Sequence, residues 1–323
     1  MPKVSVIIPV YGVEKYIEQC VRSLFAQTLD DVEYIFINDC TPDRSIELLQ
    51  SVLVEYPQRK EQVYIFHNEK NIGQVGTRKR GVSVAKGDYV IHCDSDDWVE
   101  ENWLEILYKK AILTHAEIVW CDFTSCHEDG KRVYIANEAS PTIEDFFFKL
   151  IIGIKWGTLW SHLVKREIVQ SQQIVWPTWN YCEDLALVFQ YITLISNVAY
   201  IKESLYNYRY NLESISGKRD KVNVLKNIQG EINASLVGIA CSKKMGLSKR
   251  FAPYFCTRIL KAKGRIFGIA KNDWETCKLW NSFNDGITIC DVWTSSLLLR
   301  EKISLSFVRL YIYPLKKIIC HKE

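Results

Sequence analysis

The residues best equipped for chemistry are four consecutive positions, Asp94-Ser95-Asp96-Asp97. Two carboxylates with one residue between them can close on one hard cation. Mg²⁺ typically takes one or two protein carboxylates and completes its shell with substrate phosphates. An acidic turn before a helix is also what the helix dipole attracts, with no ligand involved. A second acidic pair, Glu183-Asp184, follows Trp179-Asn180-Tyr181-Cys182 and opens an apolar helical stretch. A carboxylate there can take a proton from a hydroxyl within hydrogen-bond reach. Acidic residues at a helix start are equally an ordinary feature. Asp39 closes the apolar run Val32–Ile37 and could accept the imide N–H of a uracil-type base, or simply belong to the turn Asn38–Asp43. Arg78 can grip a carboxylate or phosphate with two parallel hydrogen bonds. Its neighbours Lys79 and Arg80 make a plain surface charge the alternative.

These positions need a scaffold, and the apolar pattern supplies one. Val4–Pro9 is a β-branched run of the kind that fills a buried strand. Val13, Tyr16, Ile17, Cys20, Val21, Leu24 and Phe25 then fall on one helical stripe. Strands at Val32–Ile37, Val63–Phe66 and Asp88–Cys93 alternate with helices at Ser45–Tyr56 and Gly73–Lys86. That alternation predicts an α/β domain with a mainly parallel sheet flanked by helices. Ligands in such sheets bind beyond the carboxyl ends of the strands. Pro9-Val10-Tyr11, Asn38-Asp39 and Asp94–Asp97 all lie at such ends. Further on, Asn102–Leu113 predicts a helix, Glu117–Asp122 a strand, and Thr142 with Asp145 the cap of a helix over Ile143–Ile152. Asn197–Ile201 and Leu205–Tyr210 predict a small hairpin pair. Beyond Gly217 the pattern becomes long and helical, over Asp220–Cys241 and Phe251–Lys271.

Composition narrows the classes. The chain has 323 residues, 48% of them hydrophobic, enough for a sizeable core. The net charge is only +3, and the segment Glu301–Glu323 alone sums to +3, so the remainder is neutral in total. A nucleic-acid binder would carry a broad basic face. Eleven cysteines without a C-x-x-C pair read as thiols of a reducing cytoplasm, not a disulfide framework. No apolar run reaches the roughly 20 residues that span a bilayer, and no signal peptide is expected.

Taken in order, V-I-I-P-V-Y at 6–11, N-D-C-T-P-D at 38–43, N-I-G at 71–73, Arg78 with Gly81, K-G-D-Y at 86–89 and D-S-D-D-W at 94–98 resemble the nucleotide-binding half of family 2 glycosyltransferases. The resemblance extends over roughly the first 215 residues. It implies a GT-A fold and inverting transfer from a nucleoside-diphosphate sugar. It assigns Asp39 to the base, Pro9 and Tyr11 to base and ribose, Asp94 to the ribose with Ser95 beside it, and Asp96, with Asp97 not separable from it, to Mg²⁺ or Mn²⁺. Asp184 becomes the catalytic base, with Glu183 second. Arg78 and Arg209 join the donor side, Arg209 through a match of Tyr208-Arg209 and Ser214-Ile215-Ser216 to a segment that reaches the diphosphate. Trp160-Ser161-His162-Leu163 resembles a Trp-x-Lys-Leu element, with histidine replacing lysine. The family often has Arg-Asn where this chain has Arg78-Lys79, and Phe-Leu where it has His92-Cys93.

The expected organisation is a GT-A domain over 1–215, with a nucleotide half at 1–100 and an acceptor half at 101–215, and a helical C-terminal region at 216–323. The expected partners are a nucleotide-sugar donor and a glycan or lipid-linked sugar acceptor, with no nucleic acid. In Val308–Ile319, Val308, Tyr311, Ile312, Leu315, Ile318 and Ile319 share one helical face opposite Arg309, Lys316 and Lys317. A basic amphipathic helix of this type can lie in a membrane interface, so peripheral contact through 303–321 at the inner face is expected, against packing of that helix on the domain. Two other readings remain open. A nucleotidyltransferase would also use strand-end carboxylates, but with a Gly-rich phosphate loop near its start that Val6–Gly12 does not contain. A non-catalytic nucleotide-sugar-binding module would need no acidic pair at 183–184.

Overall fold

The computed structural model describes residues 1–210 and 220–310. The chain divides into two compact units, Met1–Leu150 with Ile154–Asn211, and Ile151–Gly153 with Leu212–Glu323. Ser214-Ile215-Ser216 and the segment 311–321 lie outside the described residues.

The first unit is built on one nine-stranded sheet. Its strands are β1 (Val4–Val10), β2 (Val32–Asn38), β3 (Val63–His67), β4 (Tyr89–His92), β5 (Trp98–Val99), β6 (Ile118–His127), β7 (Arg132–Ile135), β8 (His162–Lys165) and β9 (Val198–Tyr210). They lie in the order β3-β2-β1-β4-β8-β6-β9-β5, with β7 added beside β6. From β3 to β4 every pair is parallel, as the strand–helix alternation predicts. Past β4 the sheet is mixed: β8 runs antiparallel to both β4 and β6, while β9 runs parallel to β6. The helices are α1 (Ile17–Phe25), α2 (Ser45–Glu55), α3 (Gly73–Val84), α4 (Trp103–Thr114), α5 (Ile143–Ile152), α6 (Arg166–Val169) and α7 (Glu183–Ile192). The stripe read on the first helix is the buried one: Ile17, Cys20, Val21, Leu24 and Phe25 pack into a cluster with Val4, Val6, Ile8, Tyr34 and Phe36. Each fully buried side chain of this type contributes about 1.5–3 kcal/mol. Thr142 caps α5 through Asp145 N at 3.1 Å.

The expected hairpin at 197–210 is instead one continuous strand. β9 pairs with β6 along its whole length, and the register shifts where Asp122 meets Ser204. Lys202-Glu203 interrupts the apolar alternation, which in sequence imitates a turn. In the structure that irregularity is a bulge, and the uninterrupted β6 templates both halves.

The second unit is helical: α8 (Lys221–Lys244), α9 (Ser248–Gly264), α10 (Asp273–Asn281), α11 (Ile289–Thr294) and α12 (Leu299–Arg309). Asp220 caps α8 by accepting from Val222 N and Asn223 N, both at 3.1 Å. Ile228, Ile232, Ile259, Trp280 and Val308 form its core. α12 ends at Arg309 and Val308 packs inward, while most of the amphipathic stretch expected from Val308 onward lies outside the described residues. Among the described residues no helix is long and apolar enough to cross a membrane.

Candidate active site

The site gathers at the carboxyl ends of β1, β2 and β4. The loops there are laced together: Gly12 N donates to Thr41 Oγ1 at 2.8 Å, and Glu14 N to Asp43 Oδ2 at 2.9 Å. Tyr11 stands out from this rim, 52% exposed, with Pro9 half-buried behind it. Asp39 sits at the end of β2, buried. Its Oδ1 accepts from Asn68 Nδ2 at 2.7 Å and Ile72 N at 2.8 Å, and its Oδ2 from Gly73 N at 2.9 Å. Three donors hold this carboxylate, and it in turn anchors the first turn of α3.

That helix carries Arg78. Val75, Arg78 and Val82 share its buried face. A Cβ on Gly81 would come 2.4 Å from Ile7 Cγ2, so only glycine lets α3 lie this close to β1. The Arg78 guanidinium is 1% exposed and binds three carboxylates. Nη2 donates to Asp94 Oδ1 at 2.7 Å, and Nη1 to Glu183 Oε1 at 2.9 Å and to Asp184 Oδ1. One buried cation therefore ties the end of β4 to the start of α7. Burial pulls the Arg78 pKa down, but Asp184, Asp94 and Glu183 outweigh it and leave it raised. Burial also raises Glu183, reinforced by Asp184, and raises Asp184 against the opposing pull of Arg78. Asp184 is the more accessible of the two, with 15% of its side chain exposed against 7% for Glu183. Its Oδ2 also accepts from Leu159 N at 3.3 Å.

The four-residue acidic turn splits into different tasks. Asp94 faces Arg78. Ser95 is buried between its neighbours. Asp96 is half-buried; desolvation, then Asp94, push its carboxyl up to about 6. Asp97 departs from the sequence expectation of a shared metal role. It is 1% exposed and turned into the protein, where Oδ2 accepts from Tyr206 OH at 2.8 Å and Oδ1 from Arg209 N at 2.7 Å. Both oxygens serve β9, which leaves Asp96 as the carboxylate of this turn not bound to a side chain. Arg209 is likewise committed: its Nε donates to Asp96 O at 2.7 Å and its Nη2 to Gln19 Oε1 at 2.6 Å, while the guanidinium lies 4.7 Å from the Tyr16 ring centroid and 4.8 Å from that of Trp98. It braces the turn from behind.

Among the described residues no three His, Cys, Asp or Glu side chains converge on a metal position. A cation here would need most of its ligands from a bound diphosphate and water. That suits Mg²⁺ or Mn²⁺ and suits Asp96, a carboxylate whose ionisation burial opposes and an added positive charge would favour. His92 and His162 are buried and neutral, desolvation lowering both and bringing His162 down to about 3. His162 is held by Thr158 O at 2.6 Å. Tyr206 and Asn68 escaped the sequence reading, because a lone tyrosine or asparagine in a strand or loop gives no spacing signal.

Residues 5–170 match the family model of glycosyl transferase family 2. The chain belongs to this family. The chain is 28% identical over 228 residues to the Bacillus subtilis protein EpsH, covering 68% of this chain and 64% of that protein. Its fold is of the GT-A type. It superposes on Staphylococcus aureus TarS 1–349, crystallised with UDP-GlcNAc, with a TM-score of 0.74 at 15% identity, covering 97% of this chain and 88% of that one. A mannosyltransferase from Pyrobaculum calidifontis, in complex with GDP-Man and Mn²⁺, gives 0.55 at 12% identity, covering 100% and 88%.

Proposed function

We propose that this glycosyltransferase moves a sugar from a nucleoside-diphosphate sugar, a UDP-sugar by preference, to a hydroxyl of a glycan or lipid-linked glycan in surface polysaccharide biosynthesis. The observation that carries the reading is the Arg78 junction, which holds the donor-side Asp94 and the acidic pair Glu183-Asp184 on one guanidinium. The UDP-GlcNAc complex of a protein with this fold supports the donor class.

On this reading Tyr11 and Pro9 flank the base, Asp39 fixes the loop that reads it and has lone-pair capacity left on Oδ2, and Asp94 meets the ribose. Asp96 would hold Mg²⁺ or Mn²⁺, and the ion would supply positive charge to the departing diphosphate. Asp97 and Arg209 keep that turn in place. Asp184 takes the proton of the acceptor hydroxyl through Oδ2, which accepts from Leu159 N at 3.3 Å. Arg78 keeps its carboxylate oriented and Glu183 supports the pair. The freed oxygen attacks the anomeric carbon opposite the leaving group, the bond to the diphosphate breaks, and the centre inverts.

The test is a panel of nucleotide sugars screened for stabilisation of the fold with and without Mn²⁺, followed by assay of nucleotide release. A donor at a hundred times its dissociation constant adds roughly 2.7 kcal/mol to stability. Stabilisation by one nucleotide family with metal-dependent sugar transfer is expected. A nucleotidyltransferase would release pyrophosphate from a nucleoside triphosphate, and a binding module would be stabilised without turnover.

A further inference from the structure

Trp156 is 44% exposed, although the aromatic residues it belongs with are buried: Phe123 at 0%, Trp160 at 3% and Tyr206 at 0%. Its ring and that of Phe123 form a T-shaped contact, with centroids 5.2 Å apart at 76°. Phe123 packs against Trp160 at 4.8 Å, and Trp160 stacks on Tyr206 at 4.3 Å and 14°. Tyr206 is the residue whose hydroxyl holds Asp97. A continuous aromatic row therefore runs from the acidic turn outward and ends in a half-open indole.

The backbone brings the same indole beside the acidic helix. A Cβ on Gly157 would come 2.6 Å from Leu185 Cδ1 and 3.2 Å from Leu185 Cα, so the chain just after Trp156 touches the residue just after Asp184. Two residues later Leu159 N reaches Asp184 Oδ2. Trp156 N donates to the buried Asn137 Oδ1 at 2.9 Å, which fixes the start of this stretch. The main chain that carries this half-exposed indole thus runs along the start of α7, beside Asp184.

A half-exposed indole suits one ligand chemistry above others. The axial C–H face of a pyranose is apolar and flat, whereas its rim of hydroxyls stays solvated. Stacking removes both apolar faces from water and leaves the hydroxyls directed sideways. We propose that Trp156 is the platform for the acceptor pyranose, setting the ring so that one hydroxyl points at Asp184. The proposal rests on the transferase reading above, with Asp184 as the base. Orientation of this kind is where a non-reacting part of the substrate accelerates transfer.

The experiment uses the full chain, with saturation-transfer NMR on methyl β-glucopyranoside, methyl β-galactopyranoside and methyl N-acetyl-β-glucosaminide as probes. The wild type should saturate ring protons of at least one glycoside. Trp156→Ala should weaken that binding by about three- to tenfold, the scale of one aromatic contact. Trp156→Phe should restore most of it, and Trp274→Ala, at an exposed indole on α10 of the second unit, should leave it unchanged. Stabilisation by UDP with Mn²⁺, measured on the same samples, should be equal in all four proteins. UDP binding reports the donor site alone, so a failure there strikes the transferase reading and is told apart from a failure of the platform. Unaltered glycoside binding in Trp156→Ala, or no binding of any of the three by the wild type, would overturn the proposal.

Discussion

Tyr206 on β9 donates its hydroxyl hydrogen to the buried Asp97 at 2.8 Å and its oxygen accepts from Asp94 N at 3.1 Å. One phenol thus fixes two positions of the acidic turn, from a strand more than a hundred residues away. Removing it leaves a buried carboxyl short of a partner. Tyr206→Phe should cost about 1–3 kcal/mol, read as a lower midpoint in urea. If Asp96 depends on this bracing, donor stabilisation with Mn²⁺ should weaken as well. A variant with wild-type stability would show that Arg209 N suffices to hold Asp97.

Part of this site is legible in the sequence. The strand ends at Asp39 and Asp94 could be read, because periodicity locates strands and strand ends locate ligands. Arg78 was harder. Three cations in a row look alike in sequence, yet Val75, Arg78 and Val82 fall at i, i+3 and i+7 and put only Arg78 on the buried face. The division of labour between Asp96 and Asp97 could not be read, since adjacent carboxylates differ only in which way the turn points them. The continuous β9 differs from the expected hairpin for a related reason. A bulge and a turn use the same polar interruption, and the partner strand decides between them.

Asp184→Asn keeps the shape of the side chain and removes its basicity. Turnover should fall by roughly a hundredfold to ten-thousandfold, the range of a positioned base, with donor affinity nearly unchanged. Glu183→Gln should cost less turnover and more stability, because Glu183 is the more buried partner of Arg78. Reversed effects in the two variants would move the base to Glu183.

Asp96→Ala should abolish metal-dependent donor stabilisation and transfer while melting near the wild-type temperature. No side-chain donor is lost, since the bond to this residue from Arg209 goes to its main-chain oxygen. Full transfer activity in the variant would end the assignment of the metal to Asp96.

Acid should destabilise the fold through its buried histidines. His162 is neutral in the folded state down to about pH 3, but titrates near its ordinary 6.5 once unfolded. Below pH 6.5 the unfolded chain binds the extra proton, so stability falls as pH falls from about 6.5 towards 3. The slope approaches about 1.4 kcal/mol per pH unit for such a group. Buried acids with raised pKa values, such as Asp97, act in the opposite sense over part of this window. A difference measurement isolates the histidine. His162→Leu should flatten the fall in urea-unfolding free energy between pH 6.5 and 4.5 relative to wild type. Parallel curves would mean that His162 is protonated in the fold.

Charge is divided between the two units far more sharply than the total of +3 suggests. Residues 212–323 hold 20 Lys and Arg against nine Asp and Glu, whereas residues 1–211 hold 21 against 29. The segment after Glu301 is therefore one part of a basic unit, not an isolated basic tail on a neutral chain. This supports peripheral contact with an anionic membrane, and the described residues add apolar side chains that could enter the interface: Trp293, Leu298, Leu299 and Ile303 are 40–63% exposed. Each basic residue near an anionic surface contributes about 1 kcal/mol at most, and the attraction is screened by salt. The full chain should co-sediment with phosphatidylserine-containing vesicles at low salt, be released at high salt, and ignore phosphatidylcholine vesicles. Lys316→Glu with Lys317→Glu should weaken binding by a part only, and adding Trp293→Ala should weaken it further. Complete loss from the two lysine changes would return the contact to the tail alone, and equal binding to neutral vesicles would remove charge from the account.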